Sequence, residues 1–195
     1  MPLPRAFFER DAAVVARAML GTRLVSLHEG VRVGGTIVEC EAYRPGDSAS
    51  HAFRGRTRRN ASMFAHGGVA YVYFTYGMHY CMNVSTDSEG IGSAVLVRAL
   101  IPEEGVAVMA QRRGPRVRDR DLCRGPARLC VALGIDKARD GVDTCARGAS
   151  VFFEAGEQVP ARKVARGPRV GVSGSERDVG AALRFSVRDS EWVSR

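Results

Sequence analysis

The sequence predicts an α+β fold: a single compact domain over residues 1–195, with a mostly antiparallel sheet flanked by helices and a protruding aromatic β-hairpin. Three observations predict it. Strand-like runs follow one another through short turns, at Glu29-Gly30 and again at Gly77, which is the pattern of hairpins. Helical periodicity is confined to a few short segments before, between and after those runs. At 195 residues the chain is long enough for one hydrophobic core and short for two, and neither an internal repeat nor a domain linker is evident.

Taken in order, Phe8 to Leu20 opens with an amphipathic helix, because Ala12, Val15, Ala16 and Met19 recur at three- and four-residue steps, and Gly21 stops it. Arg23 to Leu27 and Gly34 to Tyr43 read as strands. Alternation in the second places Val38, Cys40 and Ala42 on one face and Glu39, Glu41 and Tyr43 on the other, making Glu41 and Tyr43 neighbours. Residues 44 to 62 lack apolar periodicity and are rich in Gly, Ser and Arg, so they form a long loop with a short helix near Asn60 to Phe64; loops of this length are kept mainly for function. Val69 to Tyr76 and His79 to Thr86 make the aromatic hairpin, with Tyr76 and Met78 near its tip. Ser93 to Leu100 is a further strand, Glu103 to Arg113 and Pro126 to Leu133 are helices, and short strands follow near Val151 to Phe153, Arg169 to Val172 and Leu183 to Val187.

Hydrophobic residues make up 45% and charged residues 26%, proportions that suit a folded soluble domain. A net charge of +8 points to a polyanionic partner, nucleic acid before anionic lipid. Lys137 and Lys163 are the only lysines; arginine, which grips phosphate through two donors, supplies the rest of the positive charge. No apolar stretch approaches the ~20 residues of a membrane span and the amino terminus lacks a signal-peptide pattern, so the protein is expected in the cytoplasm, with the nucleoid if it is bacterial. Cys40, Cys81, Cys123, Cys130 and Cys145 are odd in number and never spaced Cys-x-x-Cys, which favours reduced thiols over disulfides or a zinc site. His51, His66 and His79 lack metal-ligand spacing, and no phosphate-cradling glycine motif is present, so neither metal nor cofactor is expected.

Three constellations could carry chemistry. Glu41 is a carboxylate in an otherwise apolar strand, the residue type that glycosidic-bond hydrolysis needs to activate water or to stabilise an oxocarbenium-like transition state. Tyr71, Tyr73, Tyr76 and Tyr80 offer aromatic faces to a base taken out of the stack, worth about 1–3 kcal/mol per base, against an unstacking cost of a few kcal/mol. The near balance lets a weakened pair open more readily than a sound one, and a side chain at the hairpin tip can fill the vacated space. Two arginine runs, Arg54 to Arg59 and Arg112 to Arg124, suit phosphate contacts. A nucleic-acid-binding module without catalysis would use the same arginines and tyrosines.

The residues then resemble a known family. Val38-Glu39-Cys40-Glu41-Ala42-Tyr43, Ser50 to Asn60 with Met63-Phe64, and Tyr71 to Asn83 closely resemble the alkyladenine (3-methyladenine) DNA glycosylases. Ala94 to Leu100, Leu122 to Pro126 through Gly134-Ile135, Arg169 to Val172 and Trp192 to Ser194 are similar to further family blocks in the family order. The resemblance implies a curved, open-barrel-like sheet and a monomeric, monofunctional hydrolase that excises alkylated or deaminated purines from double-stranded DNA by base flipping, without cofactor or metal. It implies Glu41 as general base, with Arg98 and the backbone carbonyl of Val170 holding the attacking water. Tyr43, His51 and Tyr73 would wall the base pocket, Asn83 would crowd the 2-amino group of normal guanine, and Tyr76 would intercalate. The stretch Tyr43 to His51 is one residue shorter than the family pattern, with Pro45 and Gly46 in reversed order, so the loop between the pocket walls is expected to differ.

Overall fold

The computed structural model describes residues 1–75 and 77–194. Tyr76, the expected intercalating side chain, lies outside the described residues. Among them the chain forms an α+β domain in which every strand pair is antiparallel.

The amino-terminal helix is two pieces. A single turn, α1 (Arg5–Phe8), precedes α2 (Ala12–Met19), because the Asp11 side chain accepts from the backbone N–H groups of Ala13 and Val14 and starts a fresh helix there. Ala12, Val15, Ala16 and Met19 are fully buried, as their spacing predicts. β1 (Arg23–His28) and β2 (Val31–Tyr43) form a hairpin whose two-residue turn, Glu29-Gly30, has positive φ at both positions, the requirement of a type I′ turn.

β2 is the organising strand. It pairs with β5 (Ala94–Glu104) along one edge; along the other it pairs first with β1 and then, at Glu39 to Glu41, with β8 (Arg184–Val187). The register against β5 slips between Ile37 and Glu39, so the strict alternation expected of Val38, Cys40 and Ala42 fails at Val38. Ile37 takes its place in the core beside Cys40 and Ala42, while Glu39 and Glu41 keep their common face. The hairpin of β3 (Ala70–Thr75) and β4 (His79–Ser85) joins β5 through β4; β6 (Val151–Glu154) joins β1, and β7 (Val164–Gly167) joins β8. The sheet does not close into a barrel.

Two expectations are corrected. Glu103 and Glu104 belong to β5, where they meet Arg23 and Arg32, and the helix α3 begins only at Val106 (Val106–Arg113). Gly105 makes the break at φ 69°, where a Cβ would stand 2.6 Å from the Val33 side chain. Arg169 to Val172 is not a strand: that backbone turns inward to serve side chains, and the ladder is made by Val164–Gly167 instead.

α4 (Pro126–Leu133) opens with Pro126 in its first turn and ends at Gly134, φ 64°, as predicted. It packs with α3 against the sheet, α2 covers β2 and β5, and the short α5 (Glu176–Val179) lies before β8. The long loop from residue 44 ends in a 3-10 turn at Ala61–Phe64, close to the short helix expected there. The hairpin protrudes: Phe74 is 46% and Met78 69% exposed, whereas Tyr71, Val72 and Met82 at its base are buried.

Candidate active site

Glu41 sits where β2 is paired on both edges, opposite Leu96 of β5 and Arg184 of β8, so its backbone has little freedom. Its side chain points away from the core face and is 0% exposed. Three donors hold the carboxylate. Val170 N–H donates to Oε1 at 2.7 Å, Arg98 Nη1 lies 3.2 Å from the same oxygen, and the Tyr43 hydroxyl donates to Oε2 at 3.0 Å.

Each donor is itself fixed. Arg98 comes from β5, next to the residues that pair with Glu39 and Cys40. Burial alone would depress its pKa, but Glu41 and Glu39 outweigh that and raise it, so the guanidinium stays charged. Tyr43 is pushed well above the ordinary tyrosine range by burial and then by Glu41, so the phenol keeps its proton and remains a donor. Its ring lies 4.7 Å from the Arg169 guanidinium. Arg169 is buried and forms a two-point ion pair with Asp47, and it also donates to the Ala42 and Asp178 carbonyls at 3.1 and 3.0 Å. The Asp178 carboxylate accepts from the Ser48 hydroxyl at 2.5 Å and from its N–H at 2.9 Å; these bonds and that from Ser175 hold its pKa at about 2. The loop after Tyr43 is therefore tied down twice, through Asp47 and Ser48, to the segment that delivers Val170.

Beside this carboxylate lies a cavity of about 360 Å³, within the usual range for small-ligand sites. Tyr43, His51, Tyr71, Tyr73, Asn83, Arg98 and Val170 line it. Glu41 is not on its wall; the three residues that hold Glu41 are. The structure thus brings Glu41, Arg98, Val170, Tyr43, His51, Tyr73 and Asn83 to one place. Val170 enters through its N–H on Glu41.

The aromatic wall is internally braced. His51 stands at the solvent-accessible mouth, its Nδ1 3.0 Å from the Tyr71 hydroxyl and its ring edge-on to Tyr73 at 4.5 Å. Partial burial and the nearby Arg59 lower its pKa, which favours neutral imidazole. Tyr71 and Tyr73, two apart on β3, stack at 5.4 Å, and Asn83, opposite Tyr71 on β4, donates from Nδ2 to the Tyr71 carbonyl at 3.3 Å.

A second cavity of about 450 Å³ shares Thr75, Cys81, Arg98 and Pro126 with the first and is lined by Arg118, Arg120, Arg124 and Arg128, with Asp121 among them. Of the second arginine run, Arg112 and Arg113 are spent on backbone carbonyls of α4 and its approach, while Arg118, Arg120 and Arg124 face this cavity. Arg54, Arg56 and Arg58 of the first run are exposed, and Arg59 donates to the Phe74 carbonyl. Among the described residues no cluster of three potential metal ligands occurs.

Sequence reasoning missed Glu39, Asp47, Arg169 and Ser194 as parts of this site, and it named Tyr71 among the hairpin aromatics without placing it in the pocket. Glu39 shares the Glu41 face by alternation and Tyr71 the Tyr73 face, so both carried a signal; the pairing of Asp47 with Arg169, 122 positions apart, carried none.

The sequence profile of one family, described as Methylpurine-DNA glycosylase (MPG), matches residues 6–191. The chain belongs to that family. It is accordingly a hydrolase of the DNA glycosylase kind, acting in DNA repair. Relatives named "Putative 3-methyladenine DNA glycosylase" include proteins of Burkholderia cenocepacia, 47% identical with 98% of this chain and 90% of the relative covered, and of Burkholderia lata, 45% identical over the same shares. A relative of the same name from Carboxydothermus hydrogenoformans is 40% identical across the full length of both chains.

Proposed function

We propose that the protein excises damaged purines of the 3-methyladenine, 7-methylguanine and hypoxanthine class from double-stranded DNA, with Glu41 as general base. The lesion nucleotide is flipped out of the duplex, and its base enters the cavity between Tyr43, His51 and Tyr73. Water held by Arg98 and the Val170 carbonyl gives a proton to Glu41 as its oxygen bonds to the sugar C1′. The C1′–N bond breaks, its electron pair leaves with the base, and an abasic site remains. An N-alkylated purine already carries positive charge and departs neutral, so it needs no acid. Asn83 crowds the 2-amino group of guanine, and Tyr76 fills the space left in the duplex.

The observation that carries this reading is the position of Glu41: a fully buried carboxylate directly behind an aromatic-walled cavity, joined to it by Tyr43, Arg98 and Val170. Flat aromatic faces favour a cationic, planar ligand. Monofunctional chemistry is supported by the lysines. Lys137 donates to the Val72 carbonyl and pairs with Asp140, Lys163 lies in a distant turn, and neither lines the cavity. Among the described residues no helix is long and apolar enough to cross a membrane. The proposed place of action, as a monomer, is DNA in the cytoplasm or nucleoid.

The test is Glu41→Gln against a panel of duplexes, each with one modified purine, with abasic sites revealed by heat or alkali. Retained binding to an abasic-analogue duplex and base release reduced by about 10²–10⁴-fold are expected. Release at the parental rate would remove Glu41 from the mechanism. Binding without any release by the parent protein would favour a module without catalysis.

A further inference from the structure

β2 carries two fully buried acids on one face, and only one of them has a part in the reaction proposed above. Glu39 lines neither cavity, and its bonds are all to groups of the protein. It accepts four hydrogen bonds: from Arg184 Nε at 2.6 Å, Arg98 Nε at 3.1 Å, the Ser194 N–H at 2.7 Å and the Ser194 hydroxyl at 3.0 Å. Ser194 Oγ in turn accepts from Arg98 Nη2 at 3.1 Å. The tail that supplies Ser194 is pinned by Arg124 Nε on the Val193 carbonyl and Arg184 Nη2 on the Ser194 carbonyl, at 2.8 and 3.3 Å.

The consequence falls on Arg98. A guanidinium next to a carboxylate tends to take both oxygens through two parallel bonds. Here Nε is committed to Glu39 and Nη2 to Ser194, so only Nη1 reaches Glu41, at 3.2 Å. We propose that Glu39 is a positioning residue that, with Ser194, holds Arg98 off a bidentate pairing with Glu41 and offsets its charge, leaving Glu41 free to take a proton from water. This rests on Glu41 being the base.

The charged and titratable groups around Glu41 are the cations Arg98 and Arg169 and, across the strand pair, Arg184, the anion Glu39, the phenols of Tyr43 and Tyr73, the thiol of Cys81 and, on the core face of β2, the thiol of Cys40. The phenols and thiols are all raised, first by burial, and stay neutral. Asp47 already pairs with Arg169, so Glu39 is the negative charge that opposes Arg98. Arg184, the cross-strand partner of Glu41, turns its guanidinium to Glu39 and weakens that opposition.

The two charges predict opposite shifts. In single-turnover release of 7-methylguanine from duplex DNA, Glu39→Gln lowers the rate constant about tenfold and moves the acid limb of the pH profile down by about one pH unit. Arg184→Gln leaves Glu39 less compensated and moves the same limb up. Binding of an abasic-analogue duplex is unchanged in both. A merely structural role for Glu39 lowers stability and rate without moving the limb in opposite directions. If Glu39→Gln does not fold, Arg184→Gln decides alone: an upward shift supports the proposal, and a parental limb overturns it. Glu41→Gln separates the two readings. If it releases base like the parent, the proposed function falls and this inference with it; if it is inactive while Glu39→Gln and Arg184→Gln keep the parental limb, only the inference falls.

Discussion

The two cavities share a wall and are built from opposite materials. The smaller is enclosed by side chains that brace one another: Tyr71 and Tyr73 stack, His51 bonds Tyr71, and Tyr43 sits between Glu41 and Arg169. The larger is edged by arginines whose partners are few, Arg118 and Arg124 sharing Asp121 and Arg128 reaching the Arg124 carbonyl, ahead of α4, at 3.5 Å. A base must be recognised by shape at fixed distance, so its walls are held before it arrives. A phosphate chain is recognised by charge alone, and long flexible side chains serve it adequately. Under the proposed function the difference puts discrimination in the first cavity and affinity in the second, and each part of that division can be broken separately.

The largest effect is expected from the brace itself. Arg169→Met leaves Asp47, 5% exposed, without its cation, and stripping one partner from a buried pair costs about 3–5 kcal/mol. Urea unfolding should show the loss as a lower midpoint at unchanged slope, and excision should fall further because Tyr43 loses its stacking partner. A midpoint within experimental scatter of the parent would mean that the wall is not held through Arg169. Next is Tyr73→Leu, which keeps bulk but removes the aromatic face. Affinity for a lesion duplex should drop by about 1–3 kcal/mol while affinity for undamaged duplex holds. An equal drop on both duplexes would place Tyr73 in general DNA binding.

The contrast between the cavities also explains what the sequence revealed. The strand carrying Glu41 was legible because side chains alternate over a two-residue period, and the helix Pro126–Leu133 because proline and glycine mark its ends. The β3–β4 hairpin was legible through its aromatic runs on either side of Gly77. Pairs that close the site across the fold were not. Nothing near Arg169 announces Asp47, and nothing near Ser194 announces Glu39, because these contacts arise only when β8 docks beside β2. The strand expected at Arg169 to Val172 failed for the same reason: its apolar pattern is real, but its backbone donor serves a carboxylate rather than a ladder. The candidate site residues themselves were reached through resemblance, since two acids on one face of an apolar strand mark an exposed face more often than a catalytic base.

The larger cavity predicts a smaller and different signature. Arg120→Ala and Arg128→Ala should each reduce the slope of log Kobs against log salt by about 0.9, equally for lesion and undamaged duplexes, if each arginine neutralises one phosphate. A loss confined to lesion duplex, with the slope intact, would transfer these arginines to base recognition and erase the division of labour.

The smallest effect concerns His51, the one titratable side chain at the mouth of the braced cavity. Partial burial and Arg59 hold its pKa below the ordinary value of 6.5. The unfolded chain then takes up a proton at higher pH than the folded protein does. The stability contributed by neutral His51 is whole above about pH 6.5 and declines as pH falls from there through the lower, folded-state pKa. Arg59→Gln removes the second cause and should bring the His51 pKa, followed by NMR of its ring protons, part of the way back towards 6.5, with burial keeping the remainder. The associated loss of stability between pH 6.5 and 5 should shrink in the variant. A His51 pKa unmoved by Arg59→Gln would show that Arg59, exposed and bound to the Phe74 carbonyl, is screened from the cavity by solvent. The guanidinium would then belong with the mobile charges of the DNA-facing surface, and the boundary between the two regions would run between Arg59 and His51.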